Sequence, residues 1–237
     1  MKIEEFSEKI IEKARKNEIL LSKEQTELFY KYMNVLVEWN EKMNLTAITE
    51  PEEVIEKHFI DCLTIMPYIK EESRIIDIGT GAGFPGIPIK IGDSSLDITL
   101  LDSLNKRITF LEEVISQLQL KGIKAVHGRA EEFIKENRES YDLAVSRAVA
   151  ELPTLLEYLL PYVKVGGKCI CMKGPKAIEE ITKSKKALEL LGGKIENIVN
   201  IKINEEMERN IIIIKKLKTT PTKYPRKAGK PSKEPIV

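Results

Sequence analysis

A glycine-rich turn is the feature of the sequence that most clearly suggests chemistry. An apolar stretch over residues 75–78 runs directly into Gly79, Gly81, Gly83 and Gly86. Glycines let the backbone bend sharply and approach a ligand with no Cβ in the way, and a helix that follows can offer free N–H groups to that ligand. The turn therefore predicts a ligand-binding loop at the end of a buried strand.

Two known patterns fit these glycines in different registers. Gly81, Gly83 and Gly86 match the G-x-G-x-x-G fingerprint of dinucleotide-binding domains. Starting earlier, Asp77 and Gly79 open a D-x-G-x-G-x-G register that is similar to the cofactor loop of S-adenosylmethionine-dependent methyltransferases. The G-x-G-x-x-G match alone is weak evidence, so the loop by itself leaves both cofactors open.

Asp102 closes the next predicted strand, 23 residues beyond Gly79. Either cofactor would present ribose hydroxyls at this point, and a carboxylate can accept their hydrogen bonds. The alternative is that Asp102 caps a helix that starts near Leu104. We predict a ribose-binding role for Asp102, although its spacing does not choose between the cofactors.

Two further segments should reach the same edge of the sheet. Arg129, Ala130 and Glu131 follow the third predicted strand, and Ser146 and Arg147 end the fourth. Ligands of open α/β sheets bind at the carboxyl ends of the strands, so Arg129 could meet an anion there and Ala130 with Glu131 could meet an adenine edge. Alternatively, Glu131 belongs to an ordinary helix start, where a negative charge suits the helix dipole.

The end of the fourth strand bears on the acceptor atom. Enzymes that methylate an exocyclic amine of a nucleic acid commonly place Asn or Asp, two prolines and an aromatic residue here, whereas this chain has Ser146-Arg147-Ala148-Val149. An acceptor that carries its own lone pair, such as guanine N7, needs no general base, and transfer to it depends on positioning and electrostatics. The sequence therefore favours such an acceptor over an amine.

The elements that must position these residues alternate between strands and helices. Seven apolar stretches predict strands, over residues 74–78, 97–101, 124–127, 142–146, 168–172, 195–203 and 210–216. Helices are predicted between the first six, most clearly over residues 104–118 and 176–191, which implies a parallel sheet covered on both faces.

The last connection, around residues 204–209, is too short for a parallel crossover, so the last two strands should be antiparallel. An α/β sheet of seven strands, mostly parallel with an antiparallel last strand, resembles the class I S-adenosylmethionine-dependent methyltransferase fold. Dinucleotide-binding domains normally keep their strands parallel.

The first 70 residues are predicted to form a helical extension. Ser22 and Gln25 have the spacing of a capping box, and Thr49 and Glu52 repeat it before a second apolar stripe. His58 lies in that stripe, where we interpret it as a buried, hydrogen-bonded residue rather than a catalytic one. The predicted organisation is therefore a helical extension over residues 1–70, the sheet domain over 71–218 and a tail over 219–237.

Composition and charge exclude several classes of protein. The chain has 237 residues, 42% hydrophobic and 32% charged, with a net charge of +1, which excludes a disordered chain and a disulfide-stapled miniprotein. Cys62, Cys169 and Cys171 lack the spacing of a zinc site and are predicted to be buried thiols, with no metal bound. No apolar run approaches the roughly 18 residues of a membrane span, so we expect a soluble, cytoplasmic protein.

The end of the chain is strongly cationic. Residues 215–237 carry eight basic and one acidic side chain, a sum of +7, and four prolines prevent a long helix. One interpretation is a frayed, solvated terminus, and the other is an arm that contacts nucleic-acid phosphates, with Tyr224 beside Arg226 as a surface for a base. Composition leaves both open. If the tail contacts RNA, deleting residues 221–237 should weaken RNA binding and its salt dependence while leaving cofactor binding unchanged.

Taken in order along the chain, these motifs resemble the ribosomal RNA small subunit methyltransferase G family. The resemblance covers nearly the whole chain and rests on Trp39-Asn40, Asn44-Leu45-Thr46, His58, Asp61, the segments IDIGTGAGFPGIP and LLDSLNKR, Arg129 to Phe133, Ser146-Arg147-Ala148 and Lys223 to Gly229. It implies transfer of a methyl group from S-adenosylmethionine to N7 of a guanine in 16S ribosomal RNA.

The resemblance also implies roles for individual residues. Those expected at the cofactor are Gly79, Gly81, Phe84, Asp102, Ala130, Glu131 and Arg147. Arg129 and Arg147 are candidates for positioning the substrate, and no residue is assigned as a catalytic base. The implied partner is 16S ribosomal RNA or the assembling small subunit, bound by a monomer. Two alternatives stay open at this point, an NAD-dependent oxidoreductase and a ribosome-binding factor without catalytic activity.

Overall fold

The alternation of strands and helices predicted from residue 74 onward is observed in a computed structural model, which describes residues 1–204 and 207–237. The seven strands are β1 (Arg74–Ile78), β2 (Asp97–Asp102), β3 (Ile123–His127), β4 (Tyr141–Arg147), β5 (Val163–Lys173), β6 (Gly193–Lys202) and β7 (Glu208–Lys216). They form one sheet in the order β3-β2-β1-β4-β5-β7-β6.

Strand directions in this sheet confirm the predicted class of fold. Strands β1 to β5 pair in parallel, whereas β7 lies antiparallel between β5 and β6. The connection from β6 to β7 is short, as predicted, although positions 205 and 206 in it lie outside the described residues. Strand β5 begins earlier than predicted, at Val163, because Val163 pairs with Tyr141 of β4 before a register shift leads to the next pair, Leu143 with Lys168.

Helices cover both faces of the sheet. They are α1 (Ile3–Lys16), α2 (Lys23–Met43), α3 (Pro51–Val54), α4 (Asp61–Leu63), α5 (Gly86–Gly92), α6 (Asn105–Gln117), α7 (Ala130–Asn137), α8 (Leu152–Leu159), α9 (Ala177–Lys183), α10 (Lys185–Leu191) and α11 (Lys230–Lys233). Adjacent strand residues point to opposite sides, so Ile75 packs in a core with helices α1 to α6 and Ile76 in a core with helices α7, α8 and α10.

The N-terminal helical region, residues 1–70, shares the first of these cores. The capping box predicted at Ser22 is present, since its Oγ accepts from Gln25 N and its own N–H donates to Gln25 Oε1. The cap predicted at Thr49 is wrong. Helix α3 begins at Pro51 with Glu50 at the N-cap and no side-chain cap bond. A π-helical turn over Ile55–Ile60 then joins α3 to α4.

The helix predicted over residues 176–191 is two helices, α9 and α10, which meet at Ser184. Its Oγ donates to the carbonyl of Glu180 at 2.7 Å, and its N–H bonds to Ile181 three residues back. A serine that bonds the preceding turn in this way competes with the regular ladder and favours a break. The predicted helical content is correct, but its continuity is not.

The end of the chain is packed against the sheet domain. In the C-terminal segment, residues 219–237, the side chains of Tyr224, Pro231 and Ile236 are buried. Tyr224 and Ile236 belong to the same core as helix α8. The frayed-terminus interpretation is therefore wrong, because these residues have their own places in the core. The division of the chain at residues 70 and 218 stays a prediction.

The three cysteines are buried free thiols, as predicted. Over residues 1–204 and 207–237, no helix is both long and apolar enough to cross a bilayer. The same residues contain no group of three or more His, Cys, Asp or Glu side chains placed to hold a metal ion.

Candidate functional site

The carboxyl ends of β1, β2, β3 and β4 surround a cavity of about 310 Å³. This volume is at the lower end of the range for pockets that hold small molecules. Five of the residues singled out from the sequence line it, namely Gly79, Asp102, Arg129, Ala130 and Glu131. The structure therefore brings together residues from three separate loops at the edge where open α/β sheets bind ligands.

The glycine loop forms the floor of this cavity. Gly79 has φ +72°, and a Cβ added to it would lie 2.5 Å from Val149 Cγ2. Its N–H and that of Thr80 both donate to the carbonyl of Leu101, which ties the loop to β2. A side chain at position 79 would strain the backbone and collide with Val149. A glycine is therefore required here, because it allows the positive φ and the close packing of Val149 against the loop.

Asp77 does not line the cavity, but its side chain is hydrogen-bonded to the glycine loop. Its Oδ2 accepts hydrogen bonds from Thr80 Oγ1 at 2.6 Å and from Gly86 N at 2.9 Å. The other oxygen, Oδ1, has no hydrogen-bond partner among the described residues. Burial raises the pKa of this carboxyl to about 7. Asp77 therefore connects the two ends of the glycine turn and fixes its shape.

Asp102 lines the cavity at the end of β2, as predicted. Its carboxylate accepts from Gly81 N at 2.9 Å and from Leu104 N at 3.0 Å, and it pairs with Arg107 at 3.1 Å. Helix α6 begins at Asn105 with Leu104 at its N-cap, so Asp102 supports the helix start without being the cap residue. Arg107 is the one of these partners that a ligand can displace, since its side chain is 34% exposed.

Gly81 contributes its backbone N–H to Asp102 and is not part of the cavity wall. A Cβ on Gly81 would meet no atom within 4 Å, although φ is +62°. Its predicted role at the cofactor is therefore indirect in this geometry. Sequence reasoning missed Arg107, which is the third residue of α6 and also lines the cavity.

Phe84 and Arg147 lie next to the cavity but do not line it. Phe84 is buried, and its ring stacks on His58 at a centroid distance of 4.4 Å. The guanidinium of Arg147 lies over the same ring, 4.9 Å from its centroid. These two predicted cofactor residues therefore form a layered contact between the glycine loop and the N-terminal helical region.

A buried carboxylate holds Arg147 in that position. Arg147 Nη1 donates to Asp61 Oδ2 at 2.8 Å and to the carbonyl of Lys57 at 3.0 Å. Asp61 is fully buried and also accepts two hydrogen bonds from Arg209, each of 2.8 Å. One carboxylate thus joins α4, β4 and β7. No sequence pattern suggested this, because Arg209 is 148 residues from Asp61.

His58 is part of the same cluster and agrees with the interpretation of a buried, hydrogen-bonded residue. Its Nε2 lies 2.9 Å from Thr46 Oγ1, and its Nδ1 lies 3.0 Å from Arg147 Nη2. Burial, followed by the charge of Arg147, lowers the pKa of His58 to about 4. The imidazole is therefore neutral near pH 7, and its contacts orient Arg147 and Phe84.

The C-terminal segment supplies a wall of the cavity that the sequence did not reveal. Gly229 and Ser232 line it together with Tyr158 of α8. Gly229 N donates to Glu131 Oε1 at 3.0 Å, and Tyr158 Oη lies 2.9 Å from Ser232 Oγ. Two residues of the tail therefore line the same cavity as Asp102 and Glu131, a placement that the sequence did not predict. The basic composition of the C-terminal segment suggested RNA binding and gave no sign that the segment packs against the domain.

Comparisons with known proteins agree with this arrangement. A family model for rRNA small subunit methyltransferase G matches residues 25–212. The ribosomal RNA small subunit methyltransferase G of Acetivibrio thermocellus is 56% identical over 231 residues, which are 96% of this chain and 95% of that protein. The protein of the same name from Alkaliphilus oremlandii is 50% identical, over 98% of this chain and 99% of its own length.

Solved structures share the fold at low sequence identity. A SAM-dependent methyltransferase from Aquifex aeolicus has a TM-score of 0.55 at 18% identity, covering 72% of this chain and 96% of its own. The TYW2 protein of M. jannaschii, solved in complex with AdoMet, has a TM-score of 0.51 at 16% identity, with coverages of 66% and 74%.

The fold is accordingly that of the S-adenosylmethionine-dependent methyltransferases, and the cofactor predicted from the sequence is the cofactor of this fold. The family match and the two relatives each span well over half of the chain. The chain belongs to the rRNA small subunit methyltransferase G family.

Proposed function

We propose that this protein transfers the methyl group of S-adenosylmethionine to N7 of a guanine in 16S ribosomal RNA, producing N7-methylguanosine. The observation that carries the proposal is the cavity above Gly79, which lies at the ligand-binding edge of a methyltransferase fold in a chain of this family. The substrate is 16S RNA, free or in the assembling small subunit, and the enzyme acts as a cytoplasmic monomer.

The residues that line the cavity suit the parts of the cofactor. The backbone of Gly79, which lines the cavity, would face the part of the molecule that must approach the main chain closely. Asp102 would accept hydrogen bonds from ribose hydroxyls once Arg107 turns toward solvent. The backbone of Ala130 and the carboxylate of Glu131 would meet the adenine edge. When bound, S-adenosylmethionine supplies an electrophilic methyl group on a positively charged sulfur.

The polar groups near the end of β4 support an acceptor that keeps its own lone pair. Ser146 is fully buried, and its Oγ donates to the carbonyl of Ile78 at 2.9 Å. Its hydroxyl is therefore engaged away from the cavity. The carboxylates at the cavity, Asp102 and Glu131, both accept backbone hydrogen bonds and suit binding rather than proton abstraction. Transfer to N7 removes no proton, so positioning is sufficient.

The two arginines proposed to position the substrate occupy different surroundings. Arg129 is exposed at the cavity, where it can meet an RNA phosphate. Arg147 is largely buried, with 11% of its side chain exposed, and it is paired with Asp61, so its contribution is to hold Phe84 and the glycine loop. Gly81, Phe84 and Arg147 are proposed to serve the cofactor by holding the glycine loop in place, since none of the three lines the cavity.

The test is the position of the transferred methyl group. The protein is incubated with radiolabelled S-adenosylmethionine and with small-subunit RNA or particles from cells that lack this methylation. The label is expected on guanine N7, identified by digestion to nucleosides and chromatography. A Gly79→Val variant is the control, since it should bind no cofactor and transfer no label.

Three outcomes would contradict the proposal. Label on a base amine or on protein would show a different acceptor. RNA binding without transfer by the native protein, under conditions where a relative is active, would support a ribosome-binding factor. Saturation by NAD, with no response to S-adenosylmethionine in calorimetry, would support an oxidoreductase.

A further inference from the structure

The C-terminal segment forms part of the cavity wall. Gly229 and Ser232 line the cavity beside Glu131 and Tyr158, although they lie within the last ten residues of the chain. We propose that residues 229–232 are part of the cofactor site, where they close its nucleoside end and position Glu131 for the base. This inference rests on the proposed function, because it takes the cavity to be the S-adenosylmethionine site.

An ion pair fixes the segment just before it reaches the cavity. Glu157 of α8 is fully buried, and Arg226 satisfies it through its backbone N–H at 2.7 Å, its Nε at 2.9 Å and its Nη2 at 2.7 Å. Such a bidentate, charge-assisted contact holds the arginine backbone in one place. Gly229 follows three residues later, so its position at the cavity is determined by this anchor.

The segment is held again at the cavity wall and after it. Thr154 Oγ1 donates to the carbonyl of Pro231 at 3.2 Å, and Ile236 is buried in the core that contains α8. Residues 229–232 therefore lie between the anchors at Arg226 and Ile236, with one further hydrogen bond at Pro231. A stretch of chain that is already fixed at both ends loses little conformational entropy when a ligand packs against it. Such a stretch is therefore well suited to form the wall of a binding site.

The C-terminal segment contacts Glu131, the residue proposed to bind the adenine base. Its Oε1 accepts the N–H of Gly229, and no described residue hydrogen-bonds its Oε2. The first contact fixes the carboxylate, while the second oxygen stays available to accept an N–H from a ligand. Gly229 has φ +80°, a conformation that glycine adopts without strain and that directs its N–H to Glu131. Position 229 thus orients a side chain of the site.

The test compares two tryptophan substitutions on adjacent residues of α11. Ser232→Trp places a large side chain at the cavity, whereas Lys233→Trp adds the same side chain at an exposed position that does not line it. S-adenosylhomocysteine affinity is measured by calorimetry, with melting temperature as the control for folding. We expect Ser232→Trp to raise Kd at least about tenfold. Lys233→Trp should leave Kd within about twofold of the native value.

A truncation after Ala228 gives a second, independent test. It removes Gly229 and Ser232 but keeps the Arg226–Glu157 anchor. S-adenosylhomocysteine should again bind at least about tenfold more weakly, at a temperature where circular dichroism shows the variant folded. Methylthioadenosine, which lacks the amino-acid part, should lose affinity by the same factor in both variants, because the wall closes the nucleoside end.

Failure of this inference is distinct from failure of the proposed function. If the native protein does not bind S-adenosylhomocysteine, the proposed function itself is wrong. If the native protein binds it and both the Ser232→Trp and the truncated protein bind equally well, the segment is no part of the site. A loss confined to S-adenosylhomocysteine, with methylthioadenosine unaffected, would place the segment at the amino-acid end and would also overturn the inference.

Discussion

Both ends of the chain fold onto the ligand-binding edge of the sheet, and a buried carboxylate paired with arginine holds each of them. In the N-terminal helical region, Asp61 binds both Arg147 and Arg209. For the C-terminal segment, Glu157 binds Arg226 alone. Asp61 connects helix α4 with strands β4 and β7, whereas Glu157 connects only the C-terminal segment with helix α8.

The N-terminal helical region also contributes more apolar side chains to the core than the C-terminal segment does. The N-terminal helical region places whole side chains such as Phe29, Tyr32 and Phe59 in the core beneath the glycine loop. The C-terminal segment contributes Tyr224 and Ile236 at the margin of the other core. The N-terminal region therefore provides much of the core beneath the glycine loop, while the C-terminal segment adds a wall of the cavity and few core side chains.

The largest expected effect tests the two carboxylates. Asp61→Asn leaves two arginines together without a counter-ion, and we expect it to lower the free energy of unfolding by about 3–5 kcal/mol. Glu157→Gln should cost about 1–2 kcal/mol, because Arg226 can turn to water and the segment can detach. Urea unfolding measures both. Equal losses would mean that the segment is as integral to the fold as the N-terminal region.

Acid should weaken the N-terminal side of the molecule. The pKa of His58 falls from 6.5 in the unfolded chain to about 4 in the folded one. Its stabilising contribution is therefore complete above pH 6.5 and is lost as the pH falls toward 4, on the order of 1–3 kcal/mol.

Unfolding free energies of the native protein and of His58→Gln, followed by the single tryptophan Trp39, measure this effect. The native protein should lose more stability than the variant between pH 6.5 and pH 4. Asp77 titrates in the opposite sense, since its raised pKa of about 7 favours the folded state at low pH and this contribution is lost as the pH rises through 7. It is common to both proteins and cancels in the difference. If the free energies of unfolding of the native protein and of His58→Gln changed in parallel with pH, the lowered pKa of His58 would be contradicted.

Two glycines with positive φ allow the packing around the glycine loop to be compared with that of the C-terminal segment. An alanine Cβ at Gly83, where φ is +95°, would lie 2.5 Å from Ile87 Cδ1 and 2.8 Å from the hydroxyl of Tyr32. At Gly229, where φ is +80°, it would meet no atom within 4 Å. We expect Gly229→Ala to cost about 1 kcal/mol from backbone strain alone.

Gly83→Ala should cost about 1–2 kcal/mol more than Gly229→Ala, since the collision adds to the strain. Thermal unfolding of both variants measures the difference. A larger loss at Gly229 would show that the C-terminal segment is packed more tightly than its contacts suggest.

The smallest effect concerns RNA. Lys227 and Lys230 are exposed on the C-terminal segment near the cavity, and replacing both with alanine should reduce the salt dependence of RNA binding by about 0.7 per lost phosphate contact. Lys2 and Lys31 are exposed in the N-terminal helical region and serve as the matched double replacement. Filter binding at several salt concentrations measures the slopes. The same slope in both double variants would remove RNA contact from the segment.

Local patterns predicted much of the fold and part of the site. Strand β1 has the predicted bounds, and Gly79, Asp102 and Glu131 meet at one cavity. These predictions succeeded because alternation, turn chemistry and crossover length each act within a few residues of the chain. Where a local signal failed, as at Thr49 and Ser184, a competing start residue or hydrogen bond decided the boundary.

The sequence by itself determined the order of the strands and helices, the antiparallel last strand and the glycine loop, since each depends on neighbouring residues. Only the tertiary structure decided that Asp61 serves Arg147 and Arg209, across 86 and 148 residues, and that Gly229 meets Glu131 across 98. Such contacts depend on which faces of distant elements pack together. A charged residue looks the same in sequence whether it meets water, RNA or a buried partner.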